Sequence, residues 1–403
     1  MLVVFPANVK QKSFHQWIRE EKSFEVVIIV DANNAEQLLD DEAIENAIVV
    51  SWFLGRTLVI PPSLLGFRKP MHQLEKLLTE LRPEPVEIVC KDAKKKFKCI
   101  KFHESYTFYQ WDKLFDLSII KEYNVKTLPV ADYSEKTLFK LLNISDPKNQ
   151  VHKSFKYHTN HSFYDSDTPG AKRLKDKPNW DFESLLALKN NKKKLLYFGS
   201  LFGSNRLILD SSDAITFRDK VRSTMMPNNK LMLEVVDKIV DNLDGFLNFI
   251  TIHARLGDSR FRRDKDRHLA QFIGNVGNDF PNLSSFQQIS YSNYSCKAQP
   301  HTNEIPKLFI ASDVKKDNEL IGPLIEAFPC LYMLSDFYPL LEPYKTLKNP
   351  VDNKIMYKFL LPLTDLMVAA RASNVYALRF STFGRYLNRY HLFLLNNKLQ
   401  YSN

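Results

Sequence analysis

Two short segments hold the residues best suited to chemistry: His253-Ala-Arg-Leu-Gly-Asp258 and Ser381-Thr-Phe383. The first follows Phe249-Ile-Thr-Ile252, a β-branched run that reads as a buried strand. His253 and Arg255 are two apart at its end, so their side chains point to one side. In an α/β domain that place is the crevice at the carboxyl edge of the sheet, where ligands bind. The second segment repeats the geometry. Asn374 to Phe380 is strand-like, Ser381 and Thr382 supply helix-cap chemistry, and Gly384 to Leu395 reads as a helix. Hydroxyls and unpaired backbone N–H groups at a helix start make an anion site. A fixed guanidinium beside such a start suits a diphosphate, because Arg255 offers several donors at once.

Each of these residues also has a purely structural reading. Arg255 can form a surface ion pair with Asp258, and a histidine ending a strand is often a satisfied core residue. Gly257 permits a tight turn. Thr364-Asp365 resembles a helix N-cap, as does Ser381-Thr382. Arg260, Arg262, Arg263 and Arg267 form a basic loop after the first segment. It either draws an anionic ligand by its field or consists of solvated charges paired with Asp264 and Asp266.

The elements that must position these residues alternate. Glu42 to Phe53 reads as an amphipathic helix with Ile44, Ala47, Ile48 and Ser51 on one face, followed by strand Arg56 to Ile60. Leu74 to Leu81 and Lys113 to Lys121 read as helices, and Val86 to Val89, Val125 to Val130 and Leu195 to Phe198 as strands. The stretch 144–180, with Pro147, Pro169, Gly170 and Pro178, reads as a long loop. Lys230 to Leu243 is an amphipathic helix, and a domain boundary is expected just before it, dividing the chain into 1–225 and 226–403. Beyond it come strands 248–253, 308–311, 331–334 and 374–380, with helices at Asn318 to Phe328, Thr364 to Ala372 and after Phe383. Such alternation predicts an α/β fold with parallel sheets and right-handed crossovers.

Composition narrows the function classes. With 403 residues, 44% hydrophobic and 25% charged, the chain can bury two full cores. A net charge of +10 favours an acidic ligand or simply a solvated Lys-rich face. The runs Lys94-Lys95-Lys96 and Lys192-Lys193-Lys194 lack interleaved aromatics and no recognised module accompanies them, so nucleic acid is not an expected partner. No apolar run approaches the roughly 20 residues that span a bilayer. Four cysteines, Cys90, Cys99, Cys296 and Cys330, are too scattered for a zinc site. Cys90 and Cys99 can close a small disulfide in an oxidising compartment, but four free thiols are the expectation from sequence. Sequons at Asn143, Asn160, Asn282 and Asn293 decide nothing at this composition.

Three ordered segments, HARLGDSRFRRD (253–264), LFIASD (308–313) and DLMVAARASNVYALRFSTF (365–383), resemble the three motifs of the GDP-fucose protein O-fucosyltransferase superfamily. AIENAIVVSWFLGRTLVIPPSLLG (43–66), FYQWDKLFDLS (108–118) and LLYFGSLFGS (195–204) are similar to its fungal branch, so the likeness runs from about Ala43 to near the end. The resemblance implies a GT-B-like fold, with two facing Rossmann-like domains and a cleft between them. It implies an inverting glycosyltransferase that moves L-fucose from a GDP-fucose donor to a hydroxyl of a protein or glycan acceptor. In that reading Arg255 is catalytic at the β-phosphate and His253 contacts the donor. Asp365 hydrogen-bonds guanine, Ser381 and Thr382 hold phosphate beside Phe383, and Asp313 contacts ribose or braces Arg255. No metal is expected, and the compartment implied is the endoplasmic reticulum or Golgi lumen. The N-terminus departs from the pattern: where the family carries a Gly-containing loop ending in Asn-Gln, this chain reads Ala35-Glu-Gln-Leu-Leu-Asp-Asp41. No residue is assigned as general base, although Asp41 and Glu42 lie nearest the right place. A truncated or mispredicted start accounts for the departure, and so does a protein that keeps nucleotide binding and has lost transfer. Nucleotide binding through these residues is expected to need the second half alone.

Overall fold

The computed structural model describes residues 26–29, 41–60, 63–66, 96–128, 135–154, 161–166, 181–198, 206–257, 259–280, 307–328, 330–378 and 381–401, with Lys91 and Leu201. In chain order the first strands are β1 (Val26–Ile29), β2 (Thr57–Val59), β3 (Ser63–Gly66), β4 (Tyr106–Tyr109) and β5 (Thr127–Leu128). They are followed by β6 (Val151–Ser154), β7 (His161–Tyr164), β8 (Asp181–Ser184), β9 (Leu195–Phe198) and β10 (Leu207–Ile208). The last four are β11 (Phe249–Ala254), β12 (Lys307–Ser312), β13 (Leu331–Met333) and β14 (Asn374–Ala377). Two parallel sheets dominate. One has the order β5-β2-β1-β9-β6 and the other β13-β12-β11-β14. The fold is α/β, as the alternation predicts.

The helices that matter for the site are α1 (Asp41–Leu54), α2 (Leu185–Lys189), α3 (Ser212–Thr224), α4 (Lys230–Asn242), α5 (Ser259–Arg263), α6 (Lys265–Asp279), α7 (Gly322–Ala327), α8 (Tyr357–Ala369) and α9 (Thr382–Tyr401). The α1 helix is not amphipathic. Every residue from Ala43 to Ser51 is buried, because α2, α3, β1 and β2 pack around it. A helix that is apolar nearly all round belongs in an interior.

The α1 helix ends only two residues before β2 begins, so it runs back along the sheet and starts at the carboxyl edge. The α9 helix starts at the carboxyl edge of the second sheet, just after β14. Glu42 in the first turn of α1 meets Arg385 in α9, and one turn on Glu45 meets Arg389. The two carboxyl edges therefore converge where these helices begin. This is the two-sheet α/β arrangement that the family resemblance implies. A second bridge joins the antiparallel β3–β4 pair to the C-terminal part. Asn349 Nδ2 donates to Phe108 O at 2.6 Å, and the Thr107 hydroxyl donates to Asp352 at 2.7 Å.

Several expectations are corrected. The stretch 144–180 is no single loop: it contains a short helix, Pro147–Gln150, and strands β6 and β7. The polar residues that hid these strands pair with one another, since Glu183 of β8 takes His152 at 2.7 Å and His161 at 3.3 Å. The Lys113 to Lys121 helix is broken into a 3-10 turn, Trp111–Lys113, and a short helix, Ser118–Glu122. Asp116 causes the break by accepting from Ser118 N at 2.8 Å. Asn318 to Phe328 begins as a 3-10 turn capped by Asn318 before α7. Cys99 is disulfide-bonded, so the expectation of four free thiols fails, while Cys90 lies outside the described residues. Leu74 to Leu81 and Val86 to Val89 also lie outside them.

Candidate active site

Parallel pairing brings the three motifs to one edge. His253 of β11 pairs with Ala377 of β14, and Ala254 pairs with Ser312 of β12. The strand ends bearing His253 and Arg255, Asp313 and Ser381 are thus neighbours at the carboxyl ends of a parallel sheet, where loops carry ligand sites.

His253 is buried, with 5% of its surface exposed, and stacks on Phe383 with ring centroids 4.4 Å apart and planes at 18°. Its Nδ1 is buried without a hydrogen-bond partner. Burial, assisted by the positive charge of Arg255, pushes the imidazole down to about 3, so the ring is neutral at physiological pH. Arg255 is half-buried, and its guanidinium lies 4.9 Å from the ring centroid of Phe261 in α5. Stacking on an aromatic face orients a guanidinium. Asp258, the rival partner read from sequence, lies outside the described residues.

Asp313 ties the end of β12 to the turn after Arg255. Its Oδ1 accepts from Leu256 N at 2.8 Å and Gly257 N at 3.1 Å, and its Oδ2 from Gly257 N at 3.0 Å. The backbone that carries Arg255 is fixed by two amide donors on one carboxylate.

Ser381 is the residue before α9, fully buried, and its hydroxyl accepts from Gly384 N at 3.4 Å. The helix therefore begins two residues earlier than the sequence indicates, at Thr382. The Thr382 hydroxyl is buried without a hydrogen-bond partner. Gly384 allows the close approach: a Cβ there would lie 2.7 Å from Leu378 O, 3.3 Å from Ala377 Cβ and 3.4 Å from His253 Nδ1. Any larger residue would push the helix start off the sheet edge.

Asp365 is no helix cap. The α8 helix begins at Tyr357, and Asp365 sits in its interior. Pro362 inside the helix made the sequence look as if the element started afresh. The α8 helix packs on β11, β12 and α9. Asp365 is half-buried as a residue, yet its Oδ1 is closed to solvent and has no hydrogen-bond partner. Burial alone pushes this carboxyl well above the usual carboxylate range.

The basic stretch after the first motif is helical rather than a loop, forming α5 and α6. Arg262 and Arg263 are exposed, Arg267 pairs with Asp264 at 3.4 Å, and Lys265 pairs with Asp266 at 2.6 Å. These are solvated helix charges.

Sequence reasoning missed the other wall. Arg385 reaches Glu42 at 3.1 Å, and Arg389 takes both oxygens of Glu45, one of them at 3.1 Å. Arg222 of α3 adds a bond to Glu45 at 3.2 Å. The spacing Glu42/Glu45 and Arg385/Arg389, one face of each helix, was the available signal. Glu42, one of the two carboxylates nearest the place of a general base, has its charge engaged by Arg385. The Asp41 side chain lies outside the described residues.

Comparison with known proteins finds no matching family model and no matching curated protein. Solved structures do match in overall shape. A crystal structure of POFUT1 in complex with GDP is 12% identical with a TM-score of 0.44, over 91% of this chain and 95% of that one. POFUT1 in complex with GDP-fucose is 12% identical with a TM-score of 0.39, over 91% and 93%. The fucosyltransferase NodZ from Bradyrhizobium is 12% identical with a TM-score of 0.34, over 91% and 92%. At these values the activity has to be read from the chain's own residues.

Proposed function

We propose that this protein is a GT-B-like glycosyltransferase that moves L-fucose from GDP-fucose, with inversion, to a hydroxyl, most simply a protein Ser or Thr. The observation that carries the reading is a set of three buried polar atoms without partners: His253 Nδ1, Thr382 Oγ1 and Asp365 Oδ1. All three belong to the motif segments, and a buried polar group left unpaired costs about 1–3 kcal/mol. Such a cost within these segments is expected where a polar ligand completes the hydrogen bonds.

Each residue then has a task. Asp365 accepts from N1–H and N2–H₂ of guanine, which requires its carboxylate form, so its proton leaves as the base enters. Thr382, Ser381 and the N–H groups opening α9 hold the phosphates. As the bond from sugar C1 to the β-phosphate oxygen breaks, its electron pair moves onto the diphosphate, and Arg255 stabilises that charge. The acceptor oxygen bonds to C1 from the opposite face and loses its proton to solvent. Arg255 and the α9 start supply the positive field that a divalent ion would otherwise provide. The Cys99 disulfide favours an oxidising, secretory compartment.

A second reading, nucleotide binding without transfer, is favoured by one observation: Glu42 at the start of α1 is held in an ion pair with Arg385. Two measurements separate and test the readings. Calorimetric titration should show GDP binding that a chelator leaves unchanged, a preference over ADP of more than tenfold, and a loss of more than tenfold in Arg255→Ala, since a charged hydrogen bond contributes about 1.5–3 kcal/mol. Release of GDP from GDP-fucose in the presence of acceptor peptides then identifies transfer. Equal affinity for GDP and ADP, or wild-type binding by Arg255→Ala, would remove the site assignment.

A further inference from the structure

We infer that Glu42 and Glu45 of α1 are positioning residues of the anion site at the start of α9, acting through Arg385 and Arg389. The inference rests on the nucleotide-binding reading above. The contacts form a ladder. Glu42 meets Arg385 at 3.1 Å, Glu45 binds Arg389 through both oxygens, and Arg222 of α3 donates to the same Glu45 at 3.2 Å. The Glu45 side chain is fully buried. Tyr386, between the two arginines, donates to Met225 O at 3.0 Å and lies under the Arg389 guanidinium at 4.6 Å. Successive residues of α9 are therefore held from the N-terminal side, starting one turn after Ser381-Thr382.

The start of α9 needs such a hold. Gly384 packs against Leu378 O so closely that no Cβ fits, and the Thr382 hydroxyl has no hydrogen-bond partner to fix it. On the β14 side the start is held by the Ser381 cap and by Phe383 stacked on His253, which leave the turns that follow to be fixed from elsewhere. Two carboxylates spaced on one face of α1 set both the rotation and the axial position of α9, because two guanidinium contacts one turn apart permit only one register. The anion site is consequently assembled by both halves of the chain.

A rival reading makes the opposite prediction. If Arg385 were itself an anion ligand and Glu42 its competitor, removing the Glu42 charge would strengthen diphosphate binding by simple Coulomb attraction. If the pair positions α9, the same change weakens binding. Glu45 is too buried to be a safe test, so the partly buried Glu42–Arg385 pair is used.

The experiment measures GDP affinity by calorimetry for the wild type, Glu42→Gln, Arg385→Gln and the double variant. It also measures amide hydrogen exchange along α9 without ligand. The expected result is that each single variant weakens GDP by about three- to thirtyfold, with the double variant no worse than either. The first two turns of α9 should exchange faster than in the wild type, while its C-terminal turns are unchanged. Tighter binding by Glu42→Gln, or unaltered affinity in both single variants, overturns the inference. If the wild type binds no GDP, the nucleotide reading fails, and exchange alone then decides: unaltered protection at the start of α9 would overturn the positioning role, and faster exchange would sustain it.

Discussion

Replacing Asp365 by leucine should make the free protein more stable while destroying its nucleotide preference. Leucine matches the branched outline of aspartate, so the substitution removes polarity with little change of shape. In the free protein Asp365 Oδ1 is sealed from water without a partner, which costs about 1–3 kcal/mol and is recovered when the group becomes apolar. The pH dependence has a definite sign. Burial raises the native carboxyl well above its ordinary 3.8, so above that pH the unfolded chain has released a proton that the native protein still holds. Wild-type stability is therefore fully present below pH 3.8 and is lost as pH rises toward the raised value. The gap between Asp365→Leu and the wild type should widen over that window and then level. Urea unfolding at a series of pH values reads the gap, provided the slope with denaturant is common to both proteins. GDP titration of the same samples should show the preference over ADP gone. A leucine variant less stable than the wild type would mean that the carboxylate holds the fold together. A stabilised variant that still prefers GDP would mean that Asp365 does not read the base.

Three further perturbations test the same edge. His253 titrates at about 3 in the folded protein against 6.5 ordinarily, so the unfolded chain binds the extra proton and stability should fall by up to about 5 kcal/mol between pH 6.5 and 3. His253→Gln should remove that slope in acid unfolding, and a slope unaltered in the variant would assign it to other groups. Gly384→Ala places a Cβ 2.7 Å from Leu378 O, so overpacking should cost about 1–3 kcal/mol and weaken GDP binding together; thermal unfolding identical to the wild type would refute the close approach. Asp313→Ala strips an ionised acceptor from Leu256 and Gly257, costing about 1.5–3 kcal/mol, and frees the turn that carries Arg255. Asp313→Asn, which keeps a carbonyl acceptor, should recover part of both losses in urea unfolding and GDP titration.

The second sheet was legible because its strands are short apolar runs ending in chemistry-bearing residues, and Lys230 to Asn242 because its apolar stripe has a helical period. What escaped had physical reasons. The strands at 151–154 and 161–164 carry polar residues, and His152, His161 and Glu183 satisfy one another across them. The beginning of α8 was masked by Pro362, which stands inside the helix without ending it. Arg255, His253 and Ser381 were recognisable from local spacing, whereas Arg385 and Arg389 acquire meaning only through Glu42 and Glu45, more than three hundred residues away in the chain. The spacing on each helix shows a face, but nothing local says which partner that face meets.

That long-range pairing bears on the expectation that residues 226–403 bind the nucleotide unaided. Removing the first half would leave Arg385 without Glu42, Arg389 without Glu45 and the Tyr386 hydroxyl without Met225 O. It would also open the buried faces of Leu387 and Tyr390, which share one core with α1 and α3 residues such as Ile48 and Phe217. Exposing apolar surface costs about 25 cal/mol per Å², and guanidiniums that lose their carboxylates lose the directional contacts that fix the helix. The residues proposed to contact the nucleotide all lie after Phe249, yet the helix at whose start Ser381, Thr382 and Phe383 stand is aligned from the far side of the chain. A site of this kind couples donor binding to the packing of α1, so a change in the first half that shifts α1 reaches the phosphates without touching them.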